Sequence, residues 1–163
     1  VLVLVAGLFL PEPIQIPVEG ATDQDWNHAT FWHHPWGKSG VHKGIDIFAD
    51  VGTDVTAATY GLVLATGKWG RGGNIVLVFG PRWRLHYYAH LKSIDTASWQ
   101  WLSVGEKLGT VGKTGNAATT PAHLHYSLLT IIPYPWRIDS APQGWKKMFF
   151  LNPSDKLLNN KIL

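Results

Sequence analysis

Short runs of alternating or wholly apolar residues, each closed by a turn that carries glycine, dominate the middle of the chain. They fall at residues 54–58, 61–66, 74–79, 84–91, 107–111 and 123–130. Strands of that length and spacing predict an antiparallel all-β domain. Two places have helical character: a turn around residues 93–101 and a short C-terminal helix after Asn152-Pro153. Residues 11–40, rich in Pro, Gly, His and Trp, follow neither period and read as a long ordered loop. Trp26, Phe31, Trp32 and Trp36 give this loop apolar surface, so it is expected to pack over the domain.

The apolar run of residues 1–10 ends at Pro11-Glu12-Pro13. It is too short to cross a bilayer, which takes ~20 apolar residues. Having no polar alternation, it reads as the tail of a signal peptide or membrane anchor, with a strand or docking segment as the other reading. The expected organisation is an N-terminal segment, residues 1–20, followed by one domain, residues 21–163. On the first reading the protein works outside the cytoplasm, periplasmic, secreted or anchored at a membrane.

Composition narrows the chemistry. The 163 residues include no cysteine, which excludes disulfides, thiolate metal sites and cysteine nucleophiles. Any metal must be held by His, Asp or Glu. The net charge of +3 and the pI near 9.2 come from scattered Lys and Arg. That distribution gives no support to nucleic-acid binding and permits only weak attraction to an anionic polymer such as a bacterial wall.

Within Ala122-His123-Leu124-His125-Tyr126, two histidines stand one residue apart. A strand would point both into one space and turn Leu124 and Tyr126 the other way. A catalytic zinc needs about three protein ligands and an open position. His42 and Asp46, four residues apart with Gly44 between them, supply two of the required type, with room for a metal if the stretch is extended. Adding either His123 or His125 completes a two-histidine, one-aspartate set. In Leu85-His86-Tyr87-Tyr88-Ala89-His90-Leu91, alternation aims His86, Tyr88 and His90 at one face, where one could serve as a base or an oxyanion donor. His28, His33 and His34 belong to the loop and have no ligand spacing. Of nine tryptophans most should be core, with Trp36 and Trp69 the first candidates for a groove edge.

Other chemistries lack their motifs. Gly112-Lys113-Thr114 has Lys107 where a phosphate loop needs its first glycine. No H-E-x-x-H helix and no G-x-S-x-G turn is present.

Taken in order, His42-Lys43-Gly44-Ile45-Asp46-Ile47, Gly52-Thr53-Asp54-Val55-Thr56-Ala57-Ala58, Gly73-Asn74, Tyr88-Ala89-His90-Leu91, Thr114-Gly115-Asn116 and His123-Leu124-His125 resemble the lysostaphin/LytM-type zinc peptidases. The likeness covers about residues 37–130. It implies an antiparallel β fold with an open groove along the sheet, zinc as cofactor, and peptidoglycan peptides as substrate. It implies His42, Asp46 and His125 as metal ligands and His90 and His123 as catalytic histidines. His123 is then expected to assist the attacking water and His90 to stabilise the oxyanion, or the reverse. Many members carry Phe-Glu after the His-Leu-His motif, whereas this chain has Tyr126-Ser127. A zinc endopeptidase, expected as a monomer with possible membrane anchoring through the N-terminus, is the leading reading. The alternative is a wall-binding or amidase-activating module without hydrolysis of its own.

Overall fold

All six alternating runs form strands, with ends displaced by a few residues at most. The computed structural model describes residues 2–159. In chain order these form α1 (Leu2–Leu8), β1 (Ile45–Phe48), β2 (Asp54–Thr56), β3 (Gly61–Trp69), β4 (Gly73–Gly80) and β5 (Arg84–Leu91). There follow β6 (Trp101–Leu102), β7 (Lys107–Thr110), β8 (His123–Thr130), β9 (Phe150–Leu151) and α2 (Pro153–Asn159). The main antiparallel sheet runs β1-β8-β5-β4-β3-β6, with β9 also pairing with β8, and β2 and β7 form a second, two-stranded sheet. The expected all-β architecture with a short C-terminal helix is therefore the architecture found.

One face of the main sheet carries the core. Ile45 and Ile47 of β1, Val76 and Val78 of β4, Tyr88 of β5, and Leu124 and Tyr126 of β8 are all fully buried. They join one apolar cluster with Val55 and Leu108 of the small sheet and Leu157 of α2. The period-two alternation of these strands thus does what it should, and leaves Asp46, His123 and His125 on the other face.

The helical turn expected at residues 93–101 does not form. Lys92 and Asp95 donate their backbone N–H groups to Thr110 and Leu108, and Trp99 donates to Val63. Pairing with neighbouring strands satisfies the donors that a local helix would have used. The apolar N-terminal run, where a strand was one of the readings, is helical. Trp83 Nε1 donates to the Leu4 carbonyl at 2.8 Å, and its ring lies against Gly7, where a Cβ would overlap it. No helix among the described residues is long and apolar enough to cross a membrane.

Packing reaches ahead of residue 21. Ile14 and Val18 are buried, Val18 bridges Val55, and Gln15 donates to Ala58. The long loop also lies down on the domain, with Trp26 and Trp32 buried. Trp26 Nε1 donates to Ser154 Oγ at 3.0 Å, and Trp32 Nε1 to the Pro142 carbonyl at 3.1 Å. The Trp-rich segment after residue 133 thereby braces the loop that precedes β1. Phe150 meets Trp32 edge to face, and Gln143 Nε2 donates to the Ser39 carbonyl at 2.9 Å.

Candidate metal centre and catalytic groove

Three strands and three connecting loops enclose a groove of about 330 Å³ on the face opposite the core. Antiparallel pairing sets Asp46 directly across from His125, and His125 across from Ala89. The small Ala89 leaves space beside the imidazole. His42 lies outside β1, in the loop ahead of it, yet its Nε2 reaches to 3.1 Å from Asp46 Oδ1 and 3.2 Å from His125 Nδ1. His125 Nδ1 stands 2.8 Å from the same Asp46 oxygen. His42, Asp46 and His125 thus form a group whose potential donor atoms all lie within 4.8 Å of one another.

Gly44 is necessary, for a reason the extended reading did not contain. Residue 44 precedes β1, and a Cβ there would collide with the Tyr126 carbonyl and come within 2.6 Å of Ser127 Oγ. The glycine lets the chain cross close over β8; it does not vacate space for a metal between His42 and Asp46.

Each histidine is oriented by its other nitrogen. His42 Nδ1–H donates to the Thr30 carbonyl at 3.1 Å. His125 Nε2–H donates to Ser127 Oγ at 2.9 Å. These contacts assign the tautomers and turn the His42 Nε2 and His125 Nδ1 lone pairs toward Asp46. The serine that stands where related sequences carry an acid therefore still fixes the ring. Trp36 stacks on His42 with ring centres 4.1 Å apart and an 18° tilt, which holds the imidazole plane. Burial pushes the Asp46 carboxyl up, but when the facing ring nitrogens of His125 and His42 carry protons in place of a cation, their hydrogen bonds and charge outweigh it and hold the carboxyl well below the usual range.

Zinc fits this donor set. Atoms bound tetrahedrally at zinc's usual ligand distances stand about 3.3 Å apart, close to the 2.8–3.2 Å separations here. The mixture of two neutral imidazoles and one carboxylate is also a set that zinc favours.

His90 and His123 flank the group. His123 Nδ1–H donates to the Pro121 carbonyl at 2.8 Å, and its Nε2 lies 3.8 Å from Asp46 Oδ1. His90 Nδ1–H donates to the Thr114 carbonyl at 2.9 Å, and its ring centre is 5.0 Å from that of His123. Burial, reinforced by neighbouring His125 and His123, pulls the His90 pKa down to about 4. At neutral pH it is an uncharged ring with a free lone pair on Nε2.

His90 reaches the groove through a break in strand alternation. Pairing passes from Val76↔Tyr88 to Asn74↔Leu91, so Ala89 and His90 together oppose Ile75. His90 takes φ +65° in this bulge, a conformation uncommon outside glycine. As a result Tyr87, Ala89 and His90 line the groove while His86 and Tyr88 lie in the interior. The expectation that His86, Tyr88 and His90 share a face is corrected accordingly. Of the loop candidates, Trp36 borders the groove; Trp69, His28, His33 and His34 are not among its lining residues. Residues that the sequence reading did not single out also line it: Tyr87, Lys43, Arg71 and Asn116.

Residues 40–133 match the model of Peptidase family M23. The chain is 34% identical over 116 residues to the L-Ala--D-Glu endopeptidase of Bacillus subtilis, covering 64% of this chain and 35% of that protein. It is 27% identical over 139 residues to the murein hydrolase activator NlpD of Salmonella dublin, covering 76% of this chain and 36% of that protein. It therefore spans about a third of the length of these two relatives. The catalytic domain of the antimicrobial peptidase lysostaphin from Staphylococcus simulans shares the fold, with a TM-score of 0.65 at 22% identity over 85% of this chain and 98% of that one.

Proposed function

The chain belongs to peptidase family M23, and from that premise we propose that it is a zinc-dependent endopeptidase acting on peptide bonds of bacterial cell-wall peptidoglycan. The observation that carries the reading is the convergence of His42 Nε2, Asp46 Oδ1 and His125 Nδ1 on one point, each imidazole oriented by its outer nitrogen. Zinc bound there supplies a Lewis acid for the scissile carbonyl and brings the pKa of a water toward about 7.

The protein's own residues divide the remaining work. His90 and His123 both give their Nδ1–H to main-chain carbonyls, so each offers an Nε2 lone pair to the groove. In that state both are proton acceptors. The ring that takes the proton of the attacking water then presents an N–H at the same place, where it can stabilise the oxyanion and afterwards protonate the departing amine. Base and donor are thus successive states of one ring, with His123, beside Asp46, assigned the transfer and His90 placed to hold the reacting group. Water's O–H and the peptide C–N bonds break, a carboxyl C–O bond forms, and the proton leaves on the amine. Peptidoglycan as substrate puts the working protein outside the cytoplasm, and a monomer is its proposed working form.

The NlpD relative favours a second reading, an activating module without hydrolysis. Retention of all five His and Asp positions argues for the enzyme. Zinc content by elemental analysis, together with release of soluble fragments from peptidoglycan, tests it in wild type and His125→Ala. About one zinc per chain with release, both lost in the variant, is the expected result. A folded, metal-supplemented protein without zinc would overturn the reading.

A further inference from the structure

Charge along the groove is one-sided. Among the described residues Asp46 is the one acidic residue lining it, and its carboxylate is already held between His42 and His125. Two cations line the same space: Lys43 from the loop ahead of β1, and Arg71 from the turn joining β3 to β4. In the sheet order these approach β8 and β5 from opposite sides. Among the described residues, neither has a carboxylate within 4.0 Å, although Lys107 and Lys147 elsewhere do.

Lys43 is also held in place. Its Nζ donates to the Ser39 carbonyl at 3.4 Å, an oxygen shared with Gln143 Nε2 at 2.9 Å. Lys146 Nζ donates to the other end of the same Gln143 amide at 3.2 Å. Arg71 is positioned by backbone interlock: a Cβ on Gly115 would strike the Arg71 carbonyl, and the Asn74 N–H donates to Thr114 Oγ1 at 2.9 Å. Like charges gathered at a groove and left without counter-ions favour an anion there, and the partly desolvated wall strengthens that attraction over its value in bulk water.

We propose that Lys43 and Arg71 select peptides that carry a free carboxylate beside the scissile bond, over uncharged bridges such as oligoglycine. The proposal rests on the endopeptidase reading for its substrate pose, but its charge preference can be measured without turnover. Two cross-linked peptides differing only in a free carboxylate or a carboxamide next to the cleaved bond are the probes. Wild type should show kcat/KM about five- to tenfold higher for the carboxylate, carried by KM and shrinking as salt rises. In Arg71→Gln, and separately in Lys43→Gln, that ratio should fall toward one. Equal kcat/KM for the two peptides in wild type, or an unchanged ratio in both variants, overturns the proposal. If neither peptide is cut, the hydrolase reading fails by itself, and calorimetric affinities of the zinc-loaded protein for the same pair decide. Tighter carboxylate binding that weakens in the variants supports the charge selection, and equal affinities overturn it.

Discussion

The two faces of β5 and β8 carry histidines that differ in everything except residue type. On the groove face, His123 and His125 stand with Asp46 and His42, and each outer nitrogen is occupied so that the inner lone pair stays available. On the interior face, His86 is fully buried, with Nδ1 2.7 Å from the Tyr126 hydroxyl and Nε2 3.8 Å from Glu12 Oε1. Glu12 in turn pairs with buried Arg84. Burial, aided by the positive Arg84, pulls the His86 pKa down to about 3. A histidine becomes chemistry when its free lone pair opens on a groove beside a carboxylate; the same side chain sealed in the core is part of the packing.

Replacing Asp46 with Ala breaks the groove face most severely. The two histidines lose the charge they share, and zinc content with kcat/KM should fall together, activity by about 10³-fold or more. Elemental analysis beside fragment release reads both. The interior face responds in stability instead. His86→Ala leaves the Tyr126 hydroxyl without its partner and opens a cavity, at about 2–4 kcal/mol in urea unfolding, while zinc content holds.

Acid sharpens the contrast. The folded His86 pKa of about 3 lies below the ~6.5 of an exposed imidazole in the unfolded chain. The stability owed to neutral His86 is whole above pH 6.5. It is lost as pH falls toward 3, because only the unfolded chain takes up the proton. The difference between wild type and His86→Gln in unfolding free energy should change over that window at up to about 1.4 kcal/mol per pH unit.

Smaller effects distinguish the supports of the groove. Ser127→Ala removes the acceptor for His125 Nε2–H and should weaken zinc affinity about tenfold, measured by competition with a chelator. Trp36→Ala removes the ring stacked on His42 and should cost about 0.5–1.5 kcal/mol of binding or stability. A shift in zinc affinity larger than that of Ser127→Ala would rank the stack above the hydrogen bond.

Much of the site was legible in order along the chain. Period-two alternation put His123 and His125 on one face and Leu124 and Tyr126 on the other, because that geometry is set by the extended backbone itself. The absence of cysteine limited any metal to His, Asp and Glu. The choice of His125 over His123 as ligand came from family likeness; the three-donor group in the structure contains His125, and His123 stands beside it.

Tertiary structure decided the rest. Alternation along β5 predicted the wrong companions for His90, since a bulge is a mismatch between two strands and leaves no mark in either one alone. Residues 93–101 took their hydrogen bonds from β7 and β3 instead of forming a turn of helix. The acceptors that orient the histidines are Thr30, Thr114 and Pro121 carbonyls and the Ser127 hydroxyl. Three of these are main-chain atoms, identical in every residue type, so only the path of the folded chain brings them to the rings. The sequence by itself determined which residues could hold a metal and which face of each regular strand they would occupy, because those follow from side-chain chemistry and local backbone geometry. Which lone pairs met, and which cations were left facing the groove, depended on register and loop path, which are properties of segments far apart in the chain.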